Sequence, residues 1–303
     1  MLEINLKGQV GIVTGAGSPY GIGRSYCLYL AKAGARAIYV GDLNVDNIDD
    51  LQKTVKENGS DTQIYGRILD VSSEKETVSL LQEILRKHGR FDFFFANAGY
   101  AILRNIEDLE PAQYDRMIQV MQRAPFLAVK YGSKAMAVTS KEKPECKGSI
   151  VVTSSAAGLH ASWSDLAYST AKAGAAAIVR SGAVQLATSK IRVNGIAPGA
   201  TSTSIFTTSK ESEGGETYHV EKTRDEIIEK HIKFCERAGL ITDRNIHDRS
   251  ADPDEMGFLG AYLASDAASS INGQVILADS GKTGASLSSQ LLGEIPPIKP
   301  LQF

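Results

Sequence analysis

Residues 148–178 read GSIVVTSSAAGLHASWSDLAYSTAKAGAAAI, and the fold follows from this stretch. A short apolar strand, Ile150 to Thr153, leads into an Ala-rich helix that begins near Tyr168. Ser155 stands at the strand end, and Lys172 follows Tyr168 by four residues. Positions four apart share a helix face, one turn on, so the spacing sets an ammonium beside a phenol. A free phenol titrates near 10, too high for efficient proton exchange at neutral pH. A nearby cation favours the phenolate and lowers that value. Tyr168 is thus a candidate general acid or base, with Ser155 hydrogen-bonding the same substrate oxygen.

Upstream, the apolar run QVGIVT (9–14) ends in GAGSPYGIGRSYCLYLAKAG, a strand, a Gly-rich turn and a helix closed by Gly34. Gly15, Gly17, Gly21 and Gly23 allow close backbone approach. The helix start offers free N–H groups and a positive dipole end to a pyrophosphate. The next strand, Ala37 to Gly41, ends at Asp42. A carboxylate there accepts both ribose hydroxyls of an adenosine and repels a 2′-phosphate, which reads as NAD over NADP. Neither Lys nor Arg stands in the loop before Gly21, although Arg24 follows it. The alternative role for Asp42 is to cap the following helix. Further along, the pattern gives helices at 45–58, 74–88, 111–138, 168–189, about 224–238 and 253–264. Strands fall at 65–69, FDFFFA, 191–196 and 272–277. Such alternation predicts a parallel sheet with helices on both faces.

Tyr168 lies thirteen residues after Ser155 and four before Lys172, and with the Gly loop this resembles the classical short-chain dehydrogenase/reductase (SDR) family. The resemblance covers residues 5–285 and implies a single-domain Rossmann fold, α/β, doubly wound, with seven parallel strands. It also implies an oxidoreductase that moves a hydride between a nicotinamide cofactor and a carbonyl or secondary alcohol of a hydrophobic small molecule. By the same resemblance Ser155, Tyr168 and Lys172 are catalytic, and Tyr168 and Lys172 also meet the cofactor. Gly15, Gly17, Tyr20, Gly21, Ile22 and Gly23 bind its phosphates, and Asp42 and Leu43 its adenosine. Asp70-Val71 borders the adenine, Asn97-Ala98-Gly99 closes the floor, and Pro198, Gly199, Thr201 and Thr203 hold the carboxamide. Assembly as a homodimer or homotetramer is implied as well. The Ala/Gly face of helix 168–189 is flat enough for it.

The chain departs from the family in three places. Five residues separate Gly15 from Gly21, two more than the family pattern T-G-x-x-x-G-x-G allows, and Ser18-Pro19-Tyr20 is the expected bulge. Met121 takes the place of an Asn that supports a water chain from the Lys, and Pro125 is expected to kink its helix. Asp279-Ser280-Gly281 replaces D-G-G. Met121, the altered Gly loop and the long segment 202–250 motivate an alternative: a redox-neutral isomerisation or cyclisation on a bound cofactor. A third reading, a dinucleotide sensor, has no use for the acid/base set.

The 303 residues, 43% apolar and 22% charged, suit a soluble globule. The net charge of −2, without a basic run, argues against nucleic acid. Three scattered cysteines argue against disulfides and a metal cluster. The N-terminus lacks a leader pattern, and no apolar window is long enough for a membrane span, so a cytoplasmic protein is expected. Residues 202–250 read as a substrate lid, and residues 286–303 as a tail that is disordered or draped over a neighbour. Leu159, His160 and Trp163 are expected at a pocket for a hydrophobic, polycyclic or steroid-like secondary metabolite. The scattered histidines, His231 among them, are expected at the surface or in loops.

Overall fold

The computed structural model describes residues 4–160, 164–206, 210–211, 217–218, 223–237 and 249–283. The strands are β1 (Val10–Thr14), β2 (Ala37–Asp42), β3 (Gln63–Ile68), β4 (Phe93–Ala96), β5 (Gly148–Thr153), β6 (Ile191–Pro198) and β9 (Val275–Ala278), with a short antiparallel pair β7 (Lys210–Glu211) and β8 (Thr217–Tyr218). The helices are α1 (Ile22–Lys32), α2 (Ile48–Glu57), α3 (Glu74–His88), α4 (Pro111–Ile118), α5 (Ala124–Leu127), α6 (Ser133–Met136), α7 (Ala156–Leu159), α8 (Leu166–Leu186), α9 (Arg224–Arg237) and α10 (Pro253–Ala264).

Seven strands form one sheet in the order β3-β2-β1-β4-β5-β6-β9, and every pair is parallel. The expected Rossmann architecture is present. The chain winds outward from β1 to β3 and restarts at β4 on the other side of β1. That reversal opens a crevice at the carboxyl ends of β1 and β4, where ligands bind in open α/β sheets.

Side-chain alternation divides the core between the two faces. Phe93 and Phe95 pack with Tyr26, Ile38, Val151 and Met256 on one side. Phe94 packs with Tyr39, Met117, Ile150 and Tyr168 on the other. Most elements end where local chemistry ends them. The Ser73 hydroxyl accepts the Glu76 N–H at the start of α3, and Gly89 closes it in the left-handed region at φ 65°. Asp252 and Glu255 form a capping box on α10, with Pro253 in its first turn.

Pro125, expected to kink its helix, stands at the start of α5 between two π turns. α4, α5 and α6 run on through π turns at Gln119–Arg123 and Ala128–Gly132, with helical dihedrals at Arg123 and Ala124. The wider turn lets the Ala124 N–H reach back to the Gln119 carbonyl as the helix passes a residue without a donor. At Asp279-Ser280-Gly281 the departure from D-G-G is carried as a left-handed Ser280, at φ 56°.

Candidate active site

A cleft of about 310 Å³ lies over the strand ends, and every residue read from the sequence as catalytic or cofactor-binding lines it. β1 and α1 contribute Gly15, Gly17, Tyr20, Gly21, Ile22 and Gly23; β2 contributes Asp42 and Leu43. Asp70, Val71, Asn97, Ala98 and Gly99 follow β3 and β4, and Pro198, Gly199, Thr201 and Thr203 follow β6. Ser155, Tyr168 and Lys172 complete it.

The glycine turn is shaped by contact. A β-carbon on Gly17 would fall 1.9 Å from the Asn44 carbonyl, and one on Gly23 would fall 2.2 Å from the Gly15 carbonyl. Around Gly21, at the start of α1, a β-carbon would meet nothing within 4 Å. No side chain caps α1. An open helix start facing a cleft fits a pyrophosphate. The insertion Ser18-Pro19-Tyr20 lines the cleft as well and is tied to later segments: Tyr20 Oη donates to Asp252 Oδ2 at 3.0 Å, and Ser18 Oγ lies 3.4 Å from Ser204 Oγ.

Asp42 does not cap α2, whose N-cap is Asn47. Its Oδ2 accepts the Gly17 N–H at 2.8 Å and its Oδ1 the Asn44 N–H at 3.2 Å. Arg24 is buried and points to α2, paired with Asp50 at 2.5 Å. Asn97 ties three strand ends together. Its Nδ2 donates to the Thr14 and Gly15 carbonyls, and its Oδ1 accepts from Thr153 Oγ1 at 3.0 Å.

The Ser155 hydroxyl caps α7 by accepting the Ala157 N–H at 3.2 Å. It also hydrogen-bonds the Tyr168 phenol. Asp165 caps α8 by accepting the Tyr168 N–H at 2.8 Å. Lys172 Nζ lies 5.7 Å from the Tyr168 ring centroid. The expectation that this cation lowers the phenol is reversed. Burial pushes Tyr168 up to about 12, and the hydrogen bond from Ser155 offsets only part of it. Burial likewise brings Lys172 down to about 8. Met121 is buried against Gly99, where a β-carbon would sit 3.1 Å from its sulfur and 3.6 Å from Lys172 Nζ. Gln122 packs on Gly174 of α8.

The short α7 presents Ala156 and Ala157 to the cleft, whereas Leu159 and His160 at its far end are outside the lining. Trp163 and the tail at 286–303 lie outside the described residues, as do His219 and His247. His231 is not at the surface: it is fully buried on α9 in a stripe with Ile227 and Cys235, its Nε2 2.9 Å from Ser250 Oγ. Sequence reasoning missed Tyr100, Leu103, Arg116, Ile205 and Phe234, all in the cleft lining. Arg116 donates to Ser72 Oγ at 2.8 Å and Asp70 Oδ2 at 3.2 Å, an arrangement that only the packing of α4 reveals.

The short chain dehydrogenase family profile matches residues 9–214. Levodione reductase of Leifsonia aquatica is 28% identical over 278 residues, spanning 91% of this chain and 95% of that protein. Cis-4-hydroxycyclohexanecarboxylate dehydrogenase of Sinomonas cyclohexanicum is 31% identical over 276 residues, 91% of this chain and 96% of that one. A crystal structure of levodione reductase superposes with a TM-score of 0.73 at 25% identity, covering 93% of this chain and all of that chain. The chain belongs to the short-chain dehydrogenase/reductase family. It is an oxidoreductase of the kind that works with a nicotinamide dinucleotide. Among the described residues no helix is long and apolar enough to cross a membrane.

Proposed function

We propose that the chain transfers a hydride between NAD and the carbonyl or secondary alcohol carbon of a hydrophobic small molecule. The observation that carries this is the convergence of Ser155, Tyr168 and Lys172 on the cleft that the glycine turn also lines. The bound dinucleotide supplies or accepts the hydride. Tyr168 exchanges a proton with the substrate oxygen, and burial, which raises its value to about 12, keeps the phenol protonated at neutral pH. Ser155 donates to the same oxygen and steadies it, and Lys172 holds the nicotinamide ribose. Asp42 takes the adenosine ribose hydroxyls. The cations lining the cleft among the described residues are Arg116 and Lys172, and Arg116 is engaged by Asp70 and Ser72. This supports NAD over NADP, because Asp42 would face a 2′-phosphate.

The substrate end, with Tyr100, Leu103, Ile205 and Phe234, suits an apolar ring, and one relative's name carries a hydroxycyclohexane. The lid reading of residues 202–250 is supported by Ile205 and Phe234, which line the cleft, while 207–209, 212–216, 219–222 and 238–248 lie outside the described residues. A homodimer or homotetramer fits the exposed apolar Phe126, Leu166 and Val184, and light scattering reads its mass. The redox-neutral alternative gains nothing from the site.

The test is a panel of cyclohexanones and cyclohexanols with NADH, NADPH and their oxidised forms, following the absorbance of the reduced nicotinamide. Turnover with NADH or NAD of a ring ketone or alcohol is the expected result. A product of unchanged oxidation level, with no absorbance change, would sink the reading.

A further inference from the structure

We infer that Asp165 is a positioning residue whose one carboxylate fixes both the start of α8 and the left-handed turn that sets Leu103 as an apolar wall of the cleft. The assignment of that wall to substrate rests on the hydride-transfer reading above; the turn and its tie do not.

Asp165 stands at the N-cap of α8 in extended geometry, φ −65° and ψ 167°. Its two oxygens are divided. Oδ1 accepts the Tyr168 N–H at 2.8 Å, the ordinary work of a cap. Oδ2 accepts the Leu103 N–H at 3.1 Å, 62 residues away in sequence. Leu103 belongs to the irregular segment between β4 and α4, and its φ is +51°. A leucine in the left-handed region is disfavoured by the clash of its β-carbon with the backbone and persists where its surroundings hold it. The Asp165 carboxylate provides such a hold.

The conformation has a visible product. Leu103 lines the cleft together with Tyr100, Ser155 and Tyr168, yet it is 43% exposed. A large apolar side chain held partly open beside the reacting phenol offers contact area to an apolar substrate. Asp165 therefore couples where the proton is exchanged to where the substrate's apolar body rests.

Asparagine separates the two duties. An amide has one acceptor oxygen; asparagine is a strong N-cap, so in Asp165→Asn that oxygen stays on the Tyr168 N–H and an NH2 group, which cannot accept, faces the Leu103 N–H. Hydrogen exchange of the 98–106 segment in the cofactor-free protein is the primary readout. In Asp165→Asn the Leu103 amide should exchange about tenfold faster, the factor expected for loss of one hydrogen bond to a charged group. Kinetics on the ring substrate turned over in the panel add a second readout. KM should rise about tenfold in Asp165→Asn while kcat stays within about twofold. Leu103→Gly, which adopts the turn freely but has no wall, should raise KM likewise, and adding Asp165→Asn to it should change KM by less than about twofold.

Unchanged exchange in Asp165→Asn overturns the inference, as do additive effects in the double variant. Should the panel give no turnover, exchange alone decides. Failure of the hydride-transfer reading looks different: Tyr168→Phe would keep full turnover and leave the exchange result untouched.

Discussion

Lys172 Nζ donates to the main-chain oxygen of Thr153 at 2.8 Å, so the ammonium beneath the phenol is held by the end of β5. Met121, where the family pattern has an amide side chain, and Lys172 Nζ both lie against Gly99. The lysine is 3% exposed, and burial brings it from 10.5 to about 8.

That depressed value has a definite sign in stability. The unfolded chain binds the lysine proton up to its ordinary value of about 10.4, whereas the folded chain releases it from about 8. Between these limits the unfolded state carries more protons, so this group's contribution to stability rises with pH. Denaturant unfolding of the wild type and Lys172→Met at pH 7, 8.5 and 10 should show the wild type gaining on the variant, by up to about 3 kcal/mol. Tyr168, raised to about 12, acts oppositely above pH 10 in both proteins.

Tyr168→Phe removes the exchanging proton and leaves the ring. Turnover should fall about a hundredfold or more, the usual worth of a placed acid/base. The dissociation constant of the dinucleotide, read by fluorescence titration, should stay within about twofold of the wild type's. A variant with full turnover would remove Tyr168 from the chemistry.

The glycines separate folding from binding. Gly21→Ala meets nothing within 4 Å in the protein. Its methyl group enters the cleft, so dinucleotide affinity should drop about tenfold or more with the melting temperature nearly unchanged. Gly23→Ala drives a β-carbon to 2.2 Å from the Gly15 carbonyl and should lower the melting temperature as well.

Asp42→Ala tests cofactor choice. Removing the carboxylate that accepts the Gly17 and Asn44 N–H groups should weaken NAD and lift the repulsion of a 2′-phosphate. The ratio of kcat/KM for NAD to that for NADP should fall by about tenfold or more. An unchanged ratio would show that Asp42 serves only the loop.

The frame of the molecule was legible because short apolar runs alternate with amphipathic helices, and each of the seven sheet strands falls where that alternation puts it. α10 begins at Pro253, directly after its cap Asp252, as the Asp-Pro pair spelled out. The candidate site was legible where chemistry follows chain order, as with Tyr168 and Lys172 on one helix face. Positions set by tertiary packing were not. Leu103 turns on an aspartate 62 residues away, and Phe234 reaches the cleft from a helix whose packing no local pattern gives. His231 sits in a polar-looking stretch, yet its spacing from Ile227 and Cys235 makes it part of a buried stripe. The phenol was misjudged because charge spacing is visible in sequence while desolvation is not.

Tyr20, in the lengthened glycine turn, bonds the cap of α10, and the guanidinium of Arg224, first residue of α9, stacks 4.9 Å from its ring. The turn is thereby a hinge pin shared by two distant segments. A chimera that trims it to the family's customary length would remove the Tyr20 phenol from the Asp252 cap of α10 and its ring from the Arg224 guanidinium of α9, so a change made in this loop reaches two segments more than 200 residues away in the chain.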